Sequence, residues 1–163
     1  MKKILTALVT IMTALAFSGC ADAPIADGGN TEIGQGYSIC YAFTASSDVT
    51  EINDKTVMKD YMDALGGDGL LEFDGYDGDF GFYITSVYGI TSRVVASTPN
   101  SYTGYDWAVY TTLTELDGAP YTSDDAFIYG GVTLYKSSYG VSGLPCVEGH
   151  TYALVYELSS MSW

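Results

Sequence analysis

Hydrophobic and polar residues alternate along several short stretches of this sequence, and alternation with a period of two is typical of β-strands. The clearest strands are predicted over 37–45, 80–87, 107–115 and 150–158, with a shorter one over 70–73. Residues 126–142 contain further strand pieces interrupted by glycines and resist assignment, whereas 97–106 reads as a polar loop around Pro99.

One stretch has helical spacing instead. Its apolar residues recur at intervals that place them on a single face of a helix, and they are Val57, Met58, Tyr61, Met62 and Leu65. Asn53 or Asp54 offers an N-cap before the stripe, and Gly66-Gly67 provides the stop. A strand, a helix and then a run of strands predict an α+β fold with one helix packed on a sheet.

Glycine-containing pairs mark three predicted turns between the strands. Tyr88-Gly89 is expected to join the two strands of a hairpin, Asp117-Gly118 to form another turn, and Glu148-Gly149 to precede the last strand.

The first twenty residues have a pattern of their own. Lys2 and Lys3 precede an apolar run over 4–17, and Ser18-Gly19-Cys20 closes it with small residues. This is typical of a secretory signal, and the run is shorter than the roughly 20 residues that a membrane-spanning helix needs. The ending resembles a bacterial lipobox, except that Phe17 stands where that family usually has Leu. The resemblance implies lipidation of Cys20 and an anchor on the extracytoplasmic face of a bacterial membrane.

Ordinary secretion is the alternative, with cleavage after 14–16 or after 21–23. The predicted organisation is a lipoprotein signal peptide over 1–19, an acidic, glycine-containing tether over 20–36, one β-domain over 37–158 and a C-terminal tail over 159–163.

The charge balance excludes one class of partner. Without residues 1–19, four basic residues face twenty acidic ones, which gives a formal charge of −16. Such a surface repels phosphate backbones, so no nucleic-acid partner is expected. Anionic head groups are repelled too, so contact with the bilayer is expected through the Cys20 lipid alone.

The three cysteines form an odd set for a secreted protein. If Cys20 carries lipid, Cys40 and Cys146 remain as a pair that can oxidise outside the cytosol. We therefore predict a Cys40–Cys146 disulfide. Two separately buried thiols are the alternative.

Candidate chemistry is sparse. The lone histidine, His150, excludes a multi-histidine metal site, and no nucleophile elbow or phosphate loop is present, so neither an enzyme nor a cofactor is predicted. Asp74, Asp77 and Asp79 are weak Ca²⁺ candidates, because their spacing does not fit an EF-hand and a solvated acidic loop explains them better.

Aromatic residues are the better binding candidates, since aromatic side chains are enriched at binding surfaces. The candidates lie in or beside loops and strand ends: Tyr76, Tyr83, Tyr105, Trp107, Tyr110 and Tyr121. The alternative is that these rings belong to the core, as half of each alternating set must.

Several segments in order resemble the transcobalamin-like C-terminal domain, a domain found in bacterial surface proteins. They are Thr56-Val57, 71–73, the acidic loop 74–79, 81–90, 105–110, 139–141 and 148–156. The resemblance implies a β-grasp-like mixed sheet with one packed helix, in which the first and last strands lie side by side and parallel. That arrangement would bring Cys40 near Cys146.

The resemblance implies no residue-level ligand contacts, because only fold motifs match. We expect a lipid-anchored, non-catalytic binding module for a small ligand, with a corrinoid as one version, and such a module needs a concave aromatic pocket. The alternative is an adhesion or assembly domain that binds protein or polysaccharide through a flat, exposed aromatic patch.

Overall fold

The computed structural model describes residues 39–163. Strands make up 56% of this part of the chain and helix 8%. The expected α+β fold is therefore wrong: this is a β-rich fold with several sheets, to which a single described helix contributes little. The predicted signal peptide, Cys20 and the predicted tether lie outside the described residues.

The elements follow one another in this order. The chain begins with β1 (Ile39–Thr44), α1 (Met58–Gly67), β2 (Phe73–Gly78), β3 (Gly81–Val87), β4 (Ile90–Thr91) and β5 (Arg93–Thr98). It continues with β6 (Ser101–Thr111), β7 (Glu115–Leu116), β8 (Ala119–Pro120), β9 (Thr122–Tyr129), β10 (Val132–Ser137) and β11 (Thr151–Ser162).

The main sheet is built around β11. Its strand order is β1-β11-β6-β10-β9, with β5 pairing beside β6, and β2-β3-β4 and β7-β8 form two smaller sheets. The first and last strands are neighbours, as expected, but they run antiparallel, with Cys40 opposite Val155. The expected parallel pairing is wrong, and every strand pair among the described residues is antiparallel.

Alternation along the central strands gives the main sheet two buried faces. One face packs against α1 and the small β2-β3-β4 sheet, with Leu154 and Tyr152 of β11 fully buried there. The other carries a second cluster that includes Val155 and Ala153 of the same strand. Residues buried on both faces explain why 152–155 is a continuous apolar run.

Helix α1 begins later than predicted. Asn53 and Thr56 form a turn, with the Thr56 amide donating to the Asn53 carbonyl at 3.1 Å. The Val57 amide donates to Oδ2 of Asp60 at 3.0 Å, which satisfies a backbone donor at the helix start. The buried face is the predicted stripe apart from Val57, namely Met58, Tyr61, Met62 and Leu65.

No disulfide joins Cys40 and Cys146 in the structure, and the sheet explains why. Cys40 points to the cluster that contains Val155, whereas Cys146 packs in the cluster on the helix side. The main sheet separates two side chains on its opposite faces. Cysteine count predicted the pair, but it carries no information about the face of a strand.

Two predicted turns are confirmed by the strands that they join. Tyr88 and Gly89 connect β3 to β4 with φ values of 47° and 74°, and Asp117 and Gly118 connect β7 to β8 with φ values of 52° and 79°. Positive φ is the conformation that two-residue hairpin turns require.

The predicted polar loop over 97–106 is wrong. Residues 93–98 and 101–105 form β5 and the first half of β6, and β11 continues past Leu158, its predicted end, to pair with them up to Ser162. We call residues 94–105 and 158–163 the arm. Among the described residues, no helix is long and apolar enough to span a bilayer.

Candidate functional site

The most exposed group of predicted binding residues lies on the β2–β3 hairpin. Tyr76 and Tyr83 face each other across the two strands. Their rings stack with centroids 5.4 Å apart and an interplanar angle of 20°. Tyr76 is 58% exposed and Tyr83 41% exposed, so the pair forms an aromatic surface open to solvent.

Two glycines of β2 allow the rings to lie against the backbone. A Cβ on Gly78 would come 2.7 Å from a ring carbon of Tyr83, and a Cβ on Gly75 would come 2.5 Å from a ring carbon of Phe82. Neither distance is compatible with a side chain. Gly78 therefore allows the Tyr83 ring to lie close to the backbone on the outer face, and Gly75 does the same for the Phe82 ring on the inner face.

The inner side of the hairpin is fastened to α1. The Phe82 ring meets Phe73 edge-on at 6.0 Å, and Nζ of Lys59 lies 4.5 Å from the Phe82 centroid. Lys59 also pairs with Asp63 at 2.6 Å, and the Phe82 amide donates to Oγ of Ser142 at 2.9 Å. These contacts hold the outer tyrosines on a fixed support.

Exposed carboxylates border the tyrosine pair. Asp74 and Asp77 belong to β2, and Asp79 lies in the turn that follows. In the part of the chain that the structure describes, no group of three or more His, Cys, Asp or Glu side chains could hold a metal ion. Asp77 lies opposite Phe82 and so belongs to the inner face, whereas Asp74, two residues before Tyr76, can accept hydrogen bonds from hydroxyl groups of a ligand that lies on the rings.

Tyr105 and Trp107, two other predicted candidates, belong to an aromatic ladder on the helix-side face of the main sheet. Tyr156 lies 5.6 Å from Tyr105 and 5.2 Å from Trp107 between ring centroids. Trp107 is only 8% exposed, and its Nε1 donates to the Ile90 carbonyl at 2.9 Å. For Trp107 the core alternative is therefore the better description.

Tyr110 and Tyr121 lie apart from the hairpin pair. Tyr110 is buried, and its hydroxyl donates to Oε2 of Glu157 at 2.8 Å, while Glu157 also pairs with Lys136 at 2.6 Å. Tyr121 packs against Tyr139 at 5.1 Å. The six aromatic candidates thus occupy separate regions, and only Tyr76 and Tyr83 form an exposed pair.

His150 has a structural environment. Its Nδ1 lies 3.1 Å from Oγ1 of Thr112, whose hydroxyl also accepts the Thr151 amide at 3.0 Å. The contacts join the start of β11 to the end of β6. They account for a lone histidine at this position without a metal.

Burial makes two reactive side chains harder to ionise than they are in water. Burial raises the pKa of the Cys146 thiol to about 11. Burial also raises the pKa of Tyr152, whose hydroxyl donates to the Pro145 carbonyl at 2.8 Å. A thiol or phenol in this state is a poor nucleophile.

Sequence reasoning missed Phe80 as part of the hairpin surface. Phe80 lies in the turn between β2 and β3 and is 90% exposed, the highest exposure among the large hydrophobic residues of the described chain. The available signal was its place between two turn residues, Asp79 and Gly81, where a large apolar side chain has little core to enter.

Comparison with protein-family models, with curated proteins and with solved structures found no match to this chain. The resemblance to the transcobalamin-like domain stays a prediction, and two of its implications, the α+β fold and the parallel strand pair, are corrected by the structure.

Proposed function

We propose that this protein is a non-catalytic module that binds polysaccharide at the outside of a bacterial cell. The observation that carries the proposal is the stacked, solvent-exposed pair of Tyr76 and Tyr83, supported on glycine backbone and bordered by carboxylates. It corresponds to the flat patch that an adhesion domain needs.

The chemistry of the hairpin suits a sugar chain. The flat faces of sugar rings carry C–H groups that pack on tyrosine rings, and their edges carry hydroxyls that can donate to a carboxylate such as that of Asp74. Two adjacent rings favour an extended, repeating ligand over a compact one. A rigid hairpin adds affinity because less motion is lost on binding.

The charge of the hairpin selects among polysaccharides. Residues 72–87 contain four acidic residues and no Lys or Arg. An anionic polymer is repelled by such a surface, whereas a neutral or amino-sugar polymer is not. We therefore propose a neutral or cationic glycan as the ligand class.

The proposed cellular location is based on the sequence pattern of the N-terminal segment. Lipid on Cys20 would fix the domain to the membrane, and the segment over 20–36 would connect the two. Mass spectrometry of the membrane fraction should find diacylglyceryl-modified Cys20 at the mature N-terminus, and Cys20→Ala should abolish processing at this site. An unmodified N-terminus would refute the anchor.

The binding test compares tyrosine variants of the full chain. Affinity electrophoresis in a neutral β-glucan, in partly deacetylated chitin and in alginate should show retardation in the first two and none in alginate. Tyr76→Ala and Tyr83→Ala should each weaken binding at least tenfold, because stacking is lost.

Tyr139→Ala is the matched control, since Tyr139 is similarly exposed at 46% but lies outside the hairpin. Equal loss in this variant, or retardation that none of the tyrosine changes affects, would contradict the proposed site. Calorimetry with cyanocobalamin covers the small-ligand alternative. Binding of cyanocobalamin without binding of any glycan would replace our proposal with the corrinoid version.

A further inference from the structure

The arm differs from the rest of the molecule in charge. Residues 94–105 and 158–163 contain no Asp, Glu, Lys or Arg, although the whole chain has a formal charge of −14. Serine, threonine, tyrosine and aliphatic residues make up most of this segment. Copies of the protein repel each other through their acidic bodies, but the arm contributes nothing to that repulsion.

The arm also presents an open sheet edge. Strand β5 pairs with β6 and with no other described strand, and all six of its residues are exposed. Val94 is 61% exposed and Val95 56% exposed. An exposed strand edge with apolar side chains is a template for pairing with another strand.

Strand β9, another edge strand on the same side of β6, has the protection that β5 lacks. Strand β9 pairs with β10 alone among the described strands, and it carries two adjacent carboxylates, Asp124 and Asp125. Charges on an edge strand oppose strand addition. The β9 edge is therefore blocked by charge, whereas residues 94–98 of the β5 edge carry no charge.

One face of the arm adds an apolar strip beside the open edge. Tyr102 of β6 lies opposite Met161 of β11 on one side and Ser97 of β5 on the other. Its ring covers Gly104, which lies opposite Val94 in the β5–β6 pair. Met161 is 57% exposed. The Tyr102 hydroxyl donates to both oxygens of Asp106 at 2.9 Å, so its polar end is already satisfied.

We propose that the arm is a self-association surface in which β5 pairs antiparallel with β5 of a second copy. A two-fold axis at the edge places two uncharged arms together and keeps the acidic bodies apart. The bulge between Val94 and Ala96 leaves 96–98 as the regular part of the edge. Val94 and Val95 of each copy then pack against the other arm.

Charge argues for a second copy over a different partner. A basic protein would be drawn to the acidic body, and an acidic one would be repelled by it. A partner for the arm needs an uncharged, strand-forming edge with exposed apolar residues, and residues 94–98 of β5 meet that description. Salt should strengthen the dimer, because screening weakens repulsion between the bodies.

Sedimentation velocity of the full chain in mild detergent tests the proposal. The wild-type protein should show a concentration-dependent dimer that increases with salt. Val95→Lys should raise the dimer dissociation constant at least tenfold, because it places two like charges at the two-fold edge. Ile128→Lys is the matched control on β9, where Ile128 is 74% exposed, and it should leave the dimer unchanged.

Cysteine crosslinking gives a second readout that does not depend on affinity. Under oxidation, Ser97→Cys should form a disulfide-linked dimer, because residue 97 is the centre of the regular edge and antiparallel neighbours lie within disulfide distance. Ala126→Cys on β9 and the wild type should not. A wild-type monomer at all concentrations, equal effects of the two lysines, or equal crosslinking on β9 would each overturn the proposal.

The self-association proposal and the glycan-binding proposal can be refuted independently of each other. Val95→Lys should leave the affinity of each hairpin for a short soluble glycan unchanged, whereas Tyr76→Ala should leave the dimer unchanged. Crosslinking of the Ser97→Cys variant to a protein other than itself would also refute the second copy as the partner.

Discussion

The two halves of strand β11 place one backbone in two different environments. In residues 152–155 every side chain is buried, between β1 on one side and β6 on the other, with clusters on both faces. In residues 158–162 the strand still pairs with β6, yet Leu158 and Met161 are 56% and 57% exposed. Hydrogen bonding continues through both halves, so the difference lies in what covers the faces.

The comparison separates stability from recognition. Buried apolar area stabilises the first half, whereas the second half is held by its ladder bonds to β6 and by strand β5 beyond it. Exposed segments with few apolar contacts are the ones that a protein uses for binding. We therefore expect substitutions in the first half to unfold the protein and substitutions in the second half to alter its contacts.

The largest expected difference in stability is between alanine variants of two leucines of β11. Leu154→Ala should destabilise the protein by about 2–5 kcal/mol, because it leaves a cavity in the helix-side cluster. Leu158→Ala on the arm should change stability by less than about 0.5 kcal/mol. Urea unfolding followed by circular dichroism measures both, and equal losses would break the comparison.

A smaller effect is expected from a glycine of β6. A Cβ on Gly104 would lie 2.6 Å from a ring carbon of Tyr102 and 2.9 Å from the Arg93 carbonyl oxygen. Gly104→Ala should therefore cost about 1–3 kcal/mol through steric strain. Gly140→Ala is the control, since no atom lies within 4 Å of its Cβ position. Thermal unfolding of both variants should separate them, and a stable Gly104→Ala variant would show that the arm adjusts freely.

Alkaline pH should lower the unfolding free energy of the protein by a smaller amount, because it ionises side chains in the buried core. Burial raises the pKa of the Cys146 thiol from 9.0 to about 11. The contribution of the protonated thiol to stability is complete below pH 9 and is lost as the pH rises through 11. The loss at pH 10 is about 1 kcal/mol of unfolding free energy.

Buried tyrosines add to this alkaline loss, since burial raises the pKa of Tyr61 and Tyr152 as well. The Cys146→Ala variant isolates the thiol. Its unfolding free energy should fall less steeply than that of the wild type between pH 9 and 11. Identical slopes would mean that the thiol ionises as easily in the folded as in the unfolded chain.

The smallest expected effect concerns the end of the arm. Nε1 of Trp163 donates to the Pro99 carbonyl at 2.9 Å, and its amide donates to the Asn100 carbonyl at 3.1 Å. Trp163→Ala should cost less than about 1 kcal/mol of global stability. It should instead accelerate amide hydrogen exchange in 98–102, with no change in 152–155. Faster exchange in both segments would indicate that the two halves unfold together.

The sequence was most informative where local chemistry decides the structure. The stripe from Met58 to Leu65 predicted the buried face of α1, and the turns at Tyr88-Gly89 and Asp117-Gly118 followed from residues that tolerate positive φ. These features depend on neighbours within a few positions, so one chain suffices to predict them.

Long-range pairing could not be predicted in the same way. The direction of β1 relative to β11 depends on contacts between residues more than a hundred positions apart, and alternation is the same for parallel and antiparallel strands. The sequence predicts a loop over 97–106 because residues on both faces of this segment are polar or exposed, which removes the alternation that marks a strand. Tyr76 and Tyr83 were identified as candidates, but their stacking depends on a register that no local pattern specifies.

Lys59 has a practical consequence for anyone who attaches this protein to a surface. Its amine is engaged by Asp63 and by the Phe82 ring, and Lys136 is engaged by Glu157, whereas Lys55 is exposed. Amine-reactive coupling within 39–163 should therefore select Lys55, which lies before α1 and outside both the hairpin and the arm. Harsher coupling that reaches Lys59 would loosen the support beneath the tyrosines and give a falsely inactive preparation.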